Sequence, residues 1–435
     1  MFACCTRRMA QYEYLIVGGG NSAGYACREF VAQGVAAGKV GMIMAEPVVP
    51  YERPALTKAY LHPPSAKARA RLPGFHTCVG GGGDRQTPEW YAEHNISLIK
   101  GKVTAVDLAG KTVTVGGTAD IKYEKLLLAT GCGTIKVSKF GVKGDEAQNV
   151  FYIREEADAA ALVKALESLP EGKGKAVIVG TGYIGLECAA ALVGWGIEVT
   201  VVSPADKLME RLFDDDLSGW MEKQYTSRGI KFVKGDSVTE FNSKDGALEG
   251  VTLKSGQKLD CNVAVVGVGA SPNVDFISGL KMEKGGVAVD SFMKSSDPSV
   301  YAIGDIAAFP GLDGSLVRCE HVDHARKSAA QAVKAAIGVD VKPYEYMPYF
   351  YSRVFEYTED PVIFNFYGDQ SGEMKVTAKD EKTMTAVWIK DGKAVGALIL
   401  GSPGPSGEDA KKLQQIAAEK PAATDVSSAF SAVGL

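Results

Sequence analysis

Apolar positions in this chain gather in short runs rich in Val, Ile and Leu, separated by stretches where apolar residues recur at helical spacing. The runs are "YEYLIVGG" (12–19), "VGMIMAE" (40–46), "KLLLAT" (125–130), "KAVIVG" (175–180), "EVTVVS" (198–203) and "VAVVGVG" (263–269). Unbroken apolarity over so few residues suits strands buried on both faces, as in a parallel sheet. Ala23 to Gln33 and Gly185 to Gly194 carry the helical pattern. Strand, glycine turn, helix and strand make the βαβ unit of a doubly wound sheet, and the order begins twice, near 14 and near 175. "KVTAVDLAGKTVTV" and "EGVTLKSGQKLDC" predict hairpins, the second turning at Ser255-Gly256. After residue 340 the character changes, and "MTAVWIKDGKAVGALIL" predicts a further hairpin turning at Asp391-Gly392. The fold class expected is therefore α/β: two Rossmann-like dinucleotide-binding domains followed by a C-terminal α+β domain. The Ala- and Ser-rich tail beyond Lys420 is expected to be loosely held, and "VGGGGD" (79–84) to form a flexible or very closely packed loop.

Composition narrows the classes of function. At 435 residues the chain exceeds what one core usually supports, so two or three domains are expected. A net charge of -4 supplies no broad basic field, and no nucleic-acid partner is expected. No charge-free apolar run approaches the roughly 18 residues that span a bilayer, so no membrane partner is expected either. The start, "MFACCTRRMAQ", lacks a secretory apolar stretch and reads as cytoplasmic, with a short organellar address the less favoured alternative. The cysteines, at 4, 5, 27, 78, 132, 188, 261 and 319, form no C-x-x-C or C-x4-C pair. His321 and His324 have no cysteine or third histidine nearby in sequence, so no metal is expected.

The glycines carry the candidate chemistry. Gly18-Gly19-Gly20-Asn21-Ser22-Ala23 fits G-x-G-x-x-A between a strand and a helix, where a tight turn and close approach to a pyrophosphate both exclude side chains. Helix-start amides then face the anion. Glu46 ends the following strand, where a carboxylate can accept from a ribose hydroxyl pair. Gly180-Thr181-Gly182-Tyr183-Ile184-Gly185 fits the full G-x-G-x-x-G, but its next strand ends in Ser203, with Asp206 displaced downstream and Lys207 and Arg211 close by. Two such folds in one chain suggest a flavin and a nicotinamide nucleotide, because a hydride can pass between their rings.

"LLLATG" (126–131) and "VYAIGDIAAFP" (300–310) resemble the two further signatures of the two-dinucleotide-domain flavoprotein reductases, the glutathione reductase-like superfamily. Without the redox cysteine pair, thiol relay is not expected. "PYERPALTKAYL" (50–61), "LPGFHTCVGGGGDRQTPEWY" (72–91), "EHVDHARKSAAQAV" (320–333) and "MPYFYSR" (347–353) resemble plant and algal monodehydroascorbate reductases, over a span from about residue 11 to about 400.

The resemblance implies a domain plan of 1–150 with 270–340 for FAD, 151–269 for NAD(P)H and 341–435 for the C-terminal domain. It implies tightly bound FAD at Gly18, Gly20, Asn21, Ser22, Ala23, Glu46, Arg53, Lys58, Ala129, Thr130, Gly131, Arg154, Gly304, Asp305, Glu320, His321 and Val322. In it Asp305 would bond the ribityl chain, although an Asp in that place also suits a helix N-cap. NADH is favoured over NADPH, at Gly180, Gly182, Tyr183, Ile184, Gly185, Glu187, Ser203, Gly267 and Gly269. Glu187 equally suits a helix cap. The acceptor implied is the ascorbyl radical, a small planar monoanion, at Arg326, Tyr351, Tyr349, Gly80 and Cys78. A guanidinium there offers charge and directed donors, a phenol ring a stacking wall. Arg326 also suits a surface ion pair, and the tyrosines a core. A monomer or weak homodimer is expected. Two readings compete with this one: a reductase of an iron-sulfur partner, and a nucleotide-sensing interaction protein like apoptosis-inducing factor.

Overall fold

A computed structural model describes residues 10–35, 37–77, 83–117, 119–170 and 174–434. The chain divides into two compact units. One contains the chain up to Arg53, Arg71–Gly133 and Ser271–Tyr346; the other contains Pro54–Ala70, Thr134–Ala270 and the chain from Met347.

The sheet of the first unit runs Ser97–Lys100, Val40–Met44, Gln11–Val17, Ala119–Leu128, Thr112–Val115, Val103–Asp107, with Val300–Ala302 also paired to Ala119–Leu128. The strands beside Gln11–Val17 are parallel to it. The predicted hairpin, Val103–Asp107 with Thr112–Val115, adds on antiparallel. Ala119–Leu128 divides its far edge: Thr112–Val115 pairs its first half, and Val300–Ala302 pairs Leu126 to Leu128. Leu15, Ile16, Val40, Met42, Leu126, Leu127 and Val300 are all buried there, each such side chain contributing about 1.5–3 kcal/mol. Helices Asn21–Ala32 and Val322–Ala336 pack on one another.

In the second unit a parallel sheet has the order Lys231–Lys234, Glu198–Ser203, Lys175–Val179, Val263–Val266, Val150–Phe151. A three-stranded antiparallel sheet follows, and its predicted turn has Gly256 at φ +89. The region after Met347 forms a five-stranded antiparallel sheet ordered Tyr349–Val354, Val362–Gly368, Lys393–Gly401, Thr383–Lys390, Glu373–Asp380. Its predicted hairpin closes with Asp391 at φ 52 and Gly392 at φ 73, both left-handed, the pair that a two-residue turn of matching twist requires.

The tail departs from expectation. It is not loose: Asp425 caps helix Val426–Ser431, accepting from the Ser428 amide at 2.8 Å. Ala423, Val426, Ala429 and Phe430 are buried with Leu413 and Ile416 of helix Gly407–Glu419. Positions 426, 429 and 430 have the spacing of one helical face, a short pattern hidden in a composition of Ala and Ser. Of the glycine-rich loop, residues 79–82 lie outside the described residues.

Candidate functional site

The first glycine turn is fixed by its neighbours. Gly18, at φ +134, donates to the Ile43 carbonyl at 2.9 Å, and a Cβ on it would stand 2.2 Å from the Ala129 carbonyl oxygen. The 126–131 motif is thus pressed against the turn, and the Ala129 amide donates to Val17 at 2.8 Å. Gly304, at φ +66, reaches the same place: a Cβ there would lie 2.2 Å from Ser22 Oγ. Its amide donates to Ser328 Oγ on helix Val322–Ala336 at 3.0 Å, and the Ile303 amide to Leu128 at 2.9 Å. Thr130 and Gly131 are held through Asn273, whose carbonyl accepts from Thr130 Oγ1 at 2.7 Å and whose amide donates to Gly131 at 2.9 Å. Three separated sequence motifs therefore converge on the start of helix Asn21–Ala32.

That start is open. Among the described residues, the one neighbour within 4 Å of a Cβ on Gly20 is the Arg53 guanidinium, at 3.8 Å, and no side chain caps the helix. A side chain at 20 would stand before the free amides, so the cradle fits a diphosphate. Arg53 pairs with Glu46, whose other oxygen accepts from Tyr51 at 2.6 Å. Burial opposes the Arg53 charge, but Tyr51, Glu46 and Asp305 outweigh that and hold its pKa above the ordinary guanidinium value. Glu46 thus serves a cation in its own unit, beyond the ribose contact foreseen for it. The Asp305 carbonyl accepts from Arg318 at 2.9 Å; Arg318 also pairs with Glu320 at 2.6 Å. His321 stands at the N-cap of helix Val322–Ala336 without a side-chain cap bond, and burial lowers its pKa, leaving it neutral. Burial pushes the adjacent Cys319 thiol up to about 12, so it is a poor nucleophile. The five cysteines among the described residues are free thiols.

In the second unit the other turn has the same logic. Gly180, at φ +111, would place a Cβ 2.4 Å from the Gly267 carbonyl oxygen, and Gly185 would place one 2.1 Å from that of Gly180. Among the described residues, nothing lies within 4 Å of a Cβ on Gly182, and helix Tyr183–Val193 begins there without a side-chain cap. Ile184, in its first turn, is 37% exposed, an apolar side chain left outside the core beside the motif. Gly269, at φ +124, has its carbonyl taken by the Ile135 amide at 3.1 Å. Ser203 accepts from Thr181 Oγ1 and from the Ala205 amide, each at 3.1 Å. Asp206 is exposed, and Lys207 is tied to Asp215 at 3.0 Å.

Glu187 is buried in that helix and is not a cap. It binds Lys58 Nζ at 2.7 Å and accepts from Thr57 and from Ser352 Oγ at 2.7 Å. Ser352 lies on strand Tyr349–Val354, whose opposite face carries Tyr349 and Tyr351. These rings stack at 5.9 Å, and Tyr349 stacks on Tyr367 at 4.4 Å, so they form a half-buried ladder and not a core. Tyr183 packs by Phe350 and Phe364. Arg154 donates its amide to Asp158 at 2.9 Å. Arg326, in the first unit, forms an ion pair with Glu52 at 3.0 Å; its partner is buried, unlike the surface pair considered above. Gly80 and Cys78 lie outside the described residues. Glu52, Thr57 and Ser352 escaped the sequence reading, although each stands inside a quoted motif. Among the described residues, no three His, Cys, Asp or Glu gather as a metal site, and no helix is long and apolar enough to cross a membrane.

Two glycine cradles, each at an uncapped helix start on a parallel sheet, define a two-dinucleotide oxidoreductase. Residues 12–336 match the pyridine nucleotide-disulphide oxidoreductase family, and the chain belongs to it. Within it, the chain belongs with the monodehydroascorbate reductases: residues 347–435 match the monodehydroascorbate reductase 3-like C-terminal domain. It is 46% identical over 427 residues, 95% of each chain, to a monodehydroascorbate reductase of Solanum lycopersicum. It is 45% identical to a cytosolic one of Oryza sativa subsp. japonica, again over 95% of each. A chloroplastic/mitochondrial one of Arabidopsis thaliana is 44% identical, covering 94% of this chain and 82% of that one. Among solved structures, a ferredoxin reductase from Rhodopseudomonas palustris is similar at TM-score 0.77 and 27% identity, over 89% of this chain and 91% of that one.

Proposed function

We propose that this chain uses NADH and bound FAD to reduce ascorbyl radicals, two per NADH, to ascorbate. The observation that carries the reading is the pair of open glycine cradles in a chain whose C-terminal region matches the monodehydroascorbate reductase domain. FAD, when bound, supplies the exchange of a hydride's electron pair for single electrons, which the radical requires and nicotinamide does not deliver.

The amides of Asn21, Ser22 and Ala23 would hold the diphosphate of FAD, with Arg53, itself held by Glu46, adding a fixed positive charge. The uncapped helix start at Val322 would lend partial positive charge to a negatively charged group beside it. Lys58, neutralised by Glu187, keeps its ammonium oriented without leaving a lone buried charge. Gly182 admits the second diphosphate, with Tyr183, Ile184, Gly267 and Gly269 around it. Arg326 gives the acceptor monoanion charge and directed donors. NADH is the donor we favour, because the nearby Lys207 is already committed to Asp215 and so poorly placed to serve a 2′-phosphate. The relatives' names span cytosolic, peroxisomal and chloroplastic forms, so family membership leaves the compartment open.

Purified protein should show flavin absorption and oxidise NADH rapidly once ascorbate and an ascorbate-oxidising enzyme generate the radical, with no electron-carrier protein added. Colourless protein that takes up no FAD, or turnover that begins only with an iron-sulfur protein, refutes the reading.

A further inference from the structure

Glu52 is 9% exposed and has no part in the reading above, yet it gathers three donors. Its carboxylate accepts from Asn21 Nδ2 at 2.7 Å, from the Tyr25 hydroxyl at 2.6 Å and from Arg326 Nη2 at 3.0 Å. The Arg326 guanidinium also lies over the Tyr25 ring, 5.2 Å from its centroid. Asn21 and Tyr25 belong to the helix that begins at the first glycine cradle, and Arg326 to the helix packed against it. Asn21 Oδ1 in turn accepts from the Arg53 amide at 3.2 Å. A buried carboxylate is strongly unfavourable unless donors saturate it, and these three do so.

We propose that Glu52 is a positioning residue for Arg326: it holds the guanidinium through one nitrogen and fixes the ring beneath it, so that the cation is in place before the acceptor anion arrives. The proposal rests on the reading of Arg326 as the acceptor-binding cation. A free arginine side chain samples many rotamers, and holding it in advance moves that ordering cost from binding to folding. Glu52 itself does not touch the acceptor. In Glu52→Gln the amide still accepts from Tyr25 or Asn21, but it no longer supplies Arg326 with a counter-charge.

The test uses the flavin-loaded protein and ascorbate as the probe anion. Binding is read by calorimetry, and KM for the radical is read beside KM for NADH. Glu52→Gln should weaken ascorbate binding and raise KM for the radical about tenfold, the size of one charge-assisted hydrogen bond, with KM for NADH little moved. Glu52→Asp should restore part of the loss, and Glu52→Gln placed in an Arg326→Gln background should add nothing. Equal affinity in Glu52→Gln and wild type, or full additivity with Arg326→Gln, overturns the proposal. Should Glu52→Gln fail to fold, Tyr25→Phe removes one donor to the same carboxylate; a smaller loss of ascorbate affinity is expected, and an unchanged affinity overturns the proposal. Wild-type protein that binds no ascorbate overturns the acceptor reading itself. Wild type that binds while Glu52→Gln binds equally overturns this proposal alone.

Discussion

The Lys58–Glu187 pair gives the sharpest test of how the second unit is held together. Their side chains are 12% and 5% exposed and 2.7 Å apart. At an effective dielectric of about 20, unit charges at that separation attract by about 6 kcal/mol, and desolvation of both partners offsets much of it. The pair as a whole therefore contributes little, whereas breaking it is expensive. Glu187→Gln keeps the shape and leaves the Lys58 ammonium buried without its counter-ion, at a cost of about 3–5 kcal/mol. For domains of about 150–250 residues that corresponds to a fall in Tm of about 6 °C or more. Lys58→Met combined with Glu187→Gln removes the orphaned charge and should recover at least half of the loss. The assay is thermal and urea unfolding of the flavin-loaded protein in one buffer at pH 7.5, comparing wild type, Lys58→Met, Glu187→Gln and the double variant. If Glu187→Gln unfolds within about 1 kcal/mol of wild type, or the double variant loses the sum of the single ones, the buried-pair reasoning fails.

Two more outcomes follow from the same geometry. Asp215→Asn releases Lys207, so catalytic efficiency with NADPH should rise about threefold to tenfold relative to NADH; an unchanged ratio in steady-state kinetics would count against Lys207 as the cation that matters. Burial lowers the His324 pKa from 6.5 to about 3, so below about pH 6.5 the unfolded chain binds a proton that the folded chain refuses, and stability should fall by about 1.4 kcal/mol per pH unit from this group. His324→Gln should flatten that acid slope in urea titrations between about pH 6.5 and 5; an identical slope would remove His324 as its source.

Much of the fold was legible because its signals were local. A glycine turn between a Val-rich run and a helical stretch names a βαβ unit, and Asp391-Gly392 between alternating apolar residues names its turn. The tail was misread because helix Val426–Ser431 has only 6 residues, too few for its spacing to outweigh the composition. Chemistry was legible in part. Motif glycines could be assigned from the backbone geometry they require, but the partners of the charged residues could not. Glu52, in the loop after strand Val40–Met44, meets Arg326 on helix Val322–Ala336, and Lys58, Glu187 and Ser352 come together from three separate segments. No sequence period records such a meeting. The residues that hold these part-buried cations in place are therefore the ones that single-sequence reasoning loses.

The helix starts suggest where stability has been withheld. Helices Asp215–Thr226, Gly407–Glu419 and Val426–Ser431 each begin with a side chain accepting from the first turn: Asp214, Ser406 and Asp425. Helices Asn21–Ala32, Tyr183–Val193 and Val322–Ala336 begin at Gly20, Gly182 and His321 without such a bond. The missing cap bond forgoes roughly a few tenths of a kcal/mol at Gly20 and Gly182 and about 1 kcal/mol at His321, and these are helices on which the proposed nucleotides depend. An anion seated there takes the place of the cap, so its binding energy enters directly into the stability of the folded chain. Retention of the flavin and resistance to unfolding are then thermodynamically linked. A mutation that fills the Gly20 opening would lower both together, even though it removes no contact from the core.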